Sequence, residues 1–367
     1  MQMELFCNIK STLCQHISRN FFPGYQDGIV QFIVFDEAEG KFYAEISESI
    51  RFFDGMCEAP DAVVEMSAAV FRMLIEQPYA ALEDAIRVSG NRALVSLIAH
   101  AAQPEADSGR TRLRNLTSQA TNLALPETEV HRMAAVDSRQ LMQILHIGTP
   151  VILTTMLKAS GWRTTFNELR QRFGDLPLAG LDADILGVTL GLSTLGALIE
   201  ATLDDDASDV YSGGCALPGP MHEIFELPLL SRKCFTRPQL WMGRRACNAY
   251  TRLHRDFLHA FIGQVIGSKR FVLYRPDDAE YLYPGACFNM FQIARFDPFR
   301  PDLAKFPLAQ QAKSIECELH PSELLVLPAG WFHTVRGEGA VMSVNRFMRE
   351  DAWAALSSRR ELEAQQR

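Results

Sequence analysis

From Leu240 to the neighbourhood of Met348 the chain is a succession of short apolar runs, each closed by Pro or Gly. "HAFIGQVIG", "KRFVLYRP", "SELLVLP", "WFHTVRG" and "AVMSVNRFM" follow one another in this way. Runs this short suit strands better than helices, and the Pro and Gly between them supply turns. Many short strands that must bury apolar faces lead to a β-sandwich or jelly roll. The first two runs are expected to pair as a hairpin across Gly267–Ser268, and His333 to open the strand after the Pro328-Ala329-Gly330 turn.

At 367 residues the chain is long for one domain and comfortable for two. The first hundred residues differ in style from the rest. "DGIVQFIVFDEAEGKFYAEIS" alternates, turns near Glu37–Gly40 and alternates again, predicting a hairpin; "DAVVEMS" predicts a third strand. Val70, Met73 and Leu74 fall at helical spacing, continued by Ala81 and Ile86 with a break near Pro78. "IRVSGNRALVSLIAHA" predicts a strand, a turn and an apolar helix. Residues 103–126 are polar and aperiodic, the composition of a linker or of a helix with frayed ends. The domains expected are therefore 1–104 and 127–367, joined by a linker at 105–126. Beyond the linker, "MAAVDSRQLMQILHIGTPVILTT" predicts a helix running into a strand, "WRTTFNELRQRFGD" an amphipathic helix ended by Gly174, and the tail a charged amphipathic helix.

Bulk properties narrow the function classes. The formal charge is −8, so no overall field attracts nucleic acid, and no nucleic-acid partner is expected. Eight scattered cysteines without a Cys-x-x-Cys pair argue against a zinc ribbon and a disulfide scaffold. No signal-like start and no run of about 18 apolar residues appear, which predicts a cytoplasmic protein without a membrane span.

Within "YTRLHRDFLHAFIGQVIGSKRF", His254 and Asp256 form the one His-x-Asp or His-x-Glu triplet of the chain. Two residues apart on a strand, both side chains share a face. They read either as two legs of a metal site or as an exposed polar edge. A jelly roll brings strands distant in sequence together, so His333 can join them. Two imidazoles and one carboxylate, with open positions opposite, suit non-haem Fe(II). Lys269 offers an ammonium for the far carboxylate of a keto-acid, although a lysine beside Arg270 is more often a solvated turn. Near the motif, Trp331 and Phe332 are expected in the core, His259 at a pocket or in the core, and His320 in a loop.

The spaced motifs "YTRLHRD", "GSKRFVLYRPDDAEYLYP", "LLVLPAGWFHTV" and "SVNRF" resemble the JmjC, or cupin-like, Fe(II)- and 2-oxoglutarate-dependent oxygenases of the hydroxylase type, over roughly residues 136–347. The resemblance implies a double-stranded β-helix, with His254, Asp256 and His333 as catalytic iron ligands. It also implies that Lys269 and Thr251 hold the distal carboxylate of 2-oxoglutarate, and that Asn345 stands beside this co-substrate on the last strand. Ala260 departs from the pattern, where many relatives have Asn, which puts one hydrogen bond to co-substrate or oxygen in doubt. With O2 as oxidant the implied outcome is hydroxylation of an unactivated C–H bond, with release of succinate and CO2. The alternatives are another outcome with the same cofactors (desaturation, cyclisation, epimerisation or N-demethylation) and a non-catalytic lipid- or peptide-binding protein.

Residues 15–102 resemble the sterol carrier protein type 2 fold, on "PDAVVEMS", the helix after it and "AIRVSGNRALVSLI". The fold class expected for the whole is α+β: a small sterol-carrier-like domain for ligand binding or interaction, then a jelly-roll oxygenase with flanking helices. A peptide, protein or small-molecule substrate is implied, lipid-like or carrier-tethered in the last case. The C-terminal helix resembles helices that pair monomers in related hydroxylases, so a homodimer is expected.

Overall fold

The computed structural model describes residues 2–21, 27–76, 86–102, 107–119, 129–178, 194–204, 210–244, 250–288 and 290–365. The chain divides into two compact units between Pro104 and Glu105.

The first unit begins with helix α1 (Gln2–Asn20), then strands β1 (Gly28–Val34), β2 (Lys41–Ile46), β3 (Ile50–Asp54) and β4 (Ala62–Met66). Helix α2 (Ala68–Glu76), strand β5 (Arg87–Gly90) and helix α3 (Arg92–Ala102) complete it. The sheet runs β3-β2-β1-β4-β5. The expected hairpin forms with Val30 opposite Ala44, and β4 lies parallel to β1. Alternate residues Val30, Phe32 and Val34 are buried with Phe6, Leu13 and Ile17 of α1, Phe71 of α2 and Leu94 of α3. Helix α1 and strand β3 were not legible in the sequence. The apolar positions of α1 are thinly spread among Ser, Thr, Asn and Gln, and packing on the sheet selects its helical face. Helix α2 ends at Glu76, ahead of Pro78, and the expected continuation through Ala81 lies outside the described residues. The polar segment after α3 contains helix α4 (Asp107–Gln119).

In the second unit, strands β6 (His131–Met133) and β7 (Val151–Leu153) bracket helix α5 (Ser138–Ile147); helices α6 (Phe166–Phe173) and α7 (Leu195–Leu203) follow. A capping box starts α5: Asp137 accepts the Gln140 N–H, and the Gln140 side chain accepts the Asp137 N–H. Short strands β8 (Val210–Tyr211) and β9 (Cys215–Ala216) lead to β10 (Gln239–Arg244), β11 (Thr251–Asp256), β12 (Ala260–Ile266) and β13 (Lys269–Tyr274). The remaining strands are β14 (Pro284–Cys287), β15 (Phe291–Ala294), β16 (Ile315–Leu319), β17 (Leu324–Leu327), β18 (Phe332–Gly337) and β19 (Val341–Phe347), before helix α8 (Glu350–Gln365).

These strands form two sheets, ordered β6-β7-β17-β12-β19-β10-β8, with β9 beside β10, and β14-β15-β11-β18-β13-β16. From β10 to β13, and again from β16 to β19, each strand crosses to the other sheet: β11, β13 and β18 belong to one sheet, β12, β17 and β19 to the other. The expected hairpin of β12 with β13 is therefore corrected. β12 pairs with β17 and β19, whereas β13 pairs with β16 and β18. Gly267, at φ 67, turns the chain from one sheet to the other rather than back along the same one. Apolar residues on both faces of β12 explain this, since a strand buried on both sides needs neighbours in its sheet and a layer on each face.

Alternation sorts the side chains of the larger sheet. Phe261, Val265, Met342 and Val344 join Leu141, Trp162, Leu169 and Leu198 in an outer core. Ala260, Ile262 and Val341 face Phe271, Leu273 and Val335 of the smaller sheet across the interior. Trp331 and Phe332 are fully buried, as expected. Among the described residues the cysteines are free, and no helix is long and apolar enough to cross a membrane. Helix α8 forms where expected, but its apolar residues spread around its circumference instead of making one stripe. Trp353 and Leu356 pack against the outer core.

Candidate metal centre

His254 and Asp256 lie on β11, and His333 lies directly opposite His254 on β18. The antiparallel register thus converts a separation of many residues into a single cross-strand pair. The ring centroids of His254 and His333 are 4.2 Å apart. Asp256 lies 4.0 Å from His254 Nε2 through one carboxylate oxygen and 3.6 Å from His333 Nε2 through the other. One donor atom from each residue falls within 4.8 Å of the others, and this is the one such group among the described residues.

Each ring is held by its other nitrogen. His254 Nδ1 donates to the Arg252 carbonyl at 2.7 Å, and His333 Nδ1 donates to the Trp331 carbonyl at 3.2 Å. With the proton on Nδ1, each Nε2 presents a lone pair towards Asp256, the tautomer that a metal ligand needs. Burial raises the Asp256 carboxyl above its ordinary value, against the pull of His254. Burial, and then His254, push His333 well below the ordinary imidazole value. A carboxyl group and two imidazole nitrogens withdrawn from water at this spacing form a set that a cation among them would match. The donor set fits Fe(II) in a two-His, one-carboxylate arrangement.

Lys269 opens β13 and is buried, 2% exposed. Its ammonium donates to Ser343 Oγ at 2.6 Å, Tyr211 Oη at 3.1 Å and the Trp241 carbonyl at 3.4 Å. Every one of these partners is neutral, and burial lowers the amine to about 7. This is not the solvated turn that Lys269-Arg270 suggested. Around it, Thr251 Oγ1 and Asn345 Oδ1 are buried without a hydrogen-bond partner, as are Trp241 Nε1 and Gln239 Oε1. Asn345 lies opposite Gln239, and Ser343 opposite Trp241, so these four share one face of the larger sheet. A buried cation with no counter-charge, beside orphaned polar atoms, is a cradle suited to a polar anion such as a dicarboxylate.

Tyr211, Ser343 and Trp241 were missed in the sequence. No motif marks them, and the signal available was the alternation of β19, which puts Ser343 on the same face as Asn345. Ala260 is buried in the interior core, between Leu327 and Phe347 in register. His320 is in a loop and meets Ser268. His259 lies off this site, under α8: its ring stands 4.4 Å from that of Trp353.

Residues 202–352 match the profile of the Cupin-like domain family. Several curated proteins are similar over shorter stretches. The human tRNA wybutosine-synthesizing protein 5 is 40% identical over 94 residues, 26% of this chain and 29% of that protein. The human bifunctional peptidase and (3S)-lysyl hydroxylase JMJD7 is 31% identical over 125 residues, 29% of this chain and 39% of that protein. The lysine-specific demethylase 8 of Xenopus tropicalis is 31% identical over 105 residues, 29% of this chain and 23% of that protein. The chain thus spans well under half the length of these relatives, and its second unit carries a cupin-like domain related to them.

Proposed function

We propose that the second unit is an Fe(II)- and 2-oxoglutarate-dependent oxygenase that hydroxylates an unactivated C–H bond. The observation that carries this reading is the pair of Nδ1–H bonds to backbone carbonyls, which leaves two Nε2 lone pairs converging with Asp256. His254, Asp256 and His333 would hold the iron. When bound, Fe(II) with 2-oxoglutarate and O2 supplies the oxidation, one oxygen atom entering the substrate and the other entering succinate as CO2 leaves.

The chain's own residues bind and orient. Lys269 offers its charge to the distal carboxylate, Thr251 its hydroxyl to the same group, and Asn345 its side chain to the co-substrate. Tyr211 and Ser343 fix the ammonium in place by the bonds they already make to it. The aromatic and aliphatic walls of the interior core keep bulk water from the reacting centre.

The relatives' names divide between tRNA modification, lysyl hydroxylation and lysine demethylation, so the substrate is a matter for this chain's chemistry. The net charge of −8 favours a peptide, protein or small-molecule substrate over nucleic acid. A sterol-carrier-like role for the first unit, in gripping or delivering a lipid-like or carrier-tethered substrate, and a homodimer through α8 are parts of the same proposal.

Anaerobic titration of the purified chain with Fe(II) and 2-oxoglutarate, followed by visible absorption, tests the reading. A weak charge-transfer band in the wild type, absent from His254→Ala, is the expected result. A folded, iron-loaded wild type without the band overturns it and brings forward a non-catalytic binding protein. The mass of any product then separates hydroxylation from desaturation, cyclisation, epimerisation or N-demethylation.

A further inference from the structure

On the opposite face of β11 from the metal ligands lies a second site. Arg255 stands between His254 and Asp256 in sequence, and alternation along the strand turns it away from them. Its guanidinium stacks over Phe332, 4.7 Å from the ring centroid, and the arginine is 5% exposed. Nε and Nη2 both donate to Gln292 Oε1, at 2.9 and 2.6 Å. Gln292 is itself held by its amide, which donates to the Gly285 carbonyl at 3.1 Å. The guanidinium is thus aimed by a neutral side chain, and no carboxylate of the described residues lies within ion-pair distance of it. A cation kept from water and left with its charge unmatched is costly unless something else supplies the anion.

Arg255 opens onto a cavity of about 1140 Å³ between α4, α5, α8 and the β17–β18 turn. His259 lines the same cavity and is 9% exposed. Its Nδ1 accepts the Ala329 N–H at 3.1 Å, which places the ring proton on Nε2, and that N–H meets no acceptor among the described residues. Burial lowers this imidazole to about 4, so it stays neutral and keeps that tautomer at physiological pH. Arg112, Glu350, Asp277 and His146 also line the cavity. Arg112 pairs with Glu350 at 2.6 Å, and Asp277 sits in the first turn of the short helix Pro276–Leu282. Phe257, Leu258 and Trp353 provide apolar and aromatic wall.

A buried guanidinium without an anionic partner and a ring N–H without an acceptor, on an aromatic-walled cavity, match one ligand chemistry. We infer that this cavity binds an organic carboxylate with an apolar body, its carboxylate taken by Arg255 and His259 and its body packed against Trp353. The inference stands apart from the iron reading, because none of the metal ligands and none of the Lys269 cradle lines the cavity.

Calorimetric titration of the full chain with phenylbutyrate and, separately, phenylbutanol tests it, since the two probes share an apolar body and differ in the charge. Phenylbutyrate is expected to bind about tenfold or more tighter than the alcohol, the scale of a charge-assisted hydrogen bond. The preference should disappear in Arg255→Met, shrink in His259→Phe and persist in Lys269→Met, which removes a buried cation that does not line the cavity. Trp353→Ala should weaken both probes alike. Equal binding of acid and alcohol, no binding of either to the folded wild type, or a preference lost with Lys269 and kept without Arg255 overturns the assignment. Should circular dichroism show Arg255→Met unfolded, His259→Phe decides: an unchanged preference there overturns it equally.

Discussion

Lys269 carries a charge into the interior with hydroxyls and a carbonyl for company, and its titration reports that cost. Below pH 7 the folded and unfolded chains both hold the proton, so the penalty for burying it is constant. Between about 7 in the folded chain and the ordinary 10.5 the unfolded chain alone keeps it, so stability should rise with pH across that window. Lys269→Met should be more stable than wild type near neutrality and should lose that rise, as measured by denaturant unfolding at a series of pH values. The same substitution should weaken 2-oxoglutarate binding by about tenfold or more, because a charge-assisted bond is removed from a dry site. Arginine at this position would not be equivalent, since a planar fork does not fit three partners arranged around a point charge. His254→Ala removes one lone pair from the metal set and should abolish the Fe(II)–2-oxoglutarate band while leaving the fold intact.

At the scale of elements, β12 ties the interior to the outer core, and Gly263 is where it runs closest to another element. A Cβ there would stand 2.3 and 2.4 Å from two atoms of the Trp162 ring. That ring has no room to retreat: it is fully buried, packs edge-on to Phe225 at 5.2 Å between centroids and donates to the Glu226 carbonyl at 3.2 Å. Gly263→Ala should therefore destabilise the second unit by about 1–3 kcal/mol, read from denaturant midpoints. Gly330 serves a different need, since its φ of 89 in the turn before β18 is a conformation that side chains disfavour. Its N–H donates to the Asp256 carbonyl at 2.8 Å and ties the turn before His333 to the end of β11.

For the molecule as a whole, two units with separate cores predict two unfolding transitions in calorimetry of the full chain. A divalent ion that occupies the His254, Asp256 and His333 set should raise one of them alone, by about 2.7 kcal/mol at a hundredfold excess over its dissociation constant. A single transition, or two that shift together, would count against independent units. The sequence by itself determined the strands with clear apolar runs, such as β1, β2, β4, β12, β13, β17 and β19, because period-two burial and Pro-Gly punctuation are local properties. It also marked His254, Asp256 and His333, because their residue types and order carry a chemistry that few arrangements share. Only the tertiary structure decided which strands meet: "HAFIGQVIG" and "KRFVLYRP" look like a hairpin, and sheet pairing separates them. It also decided what surrounds Lys269 and Arg255. Tyr211 and Ser343 reach Lys269, and Gln292 reaches Arg255, through sheet register and through packing between sheets. Neither leaves a local trace, since a buried cation and a solvated one are written with the same letter.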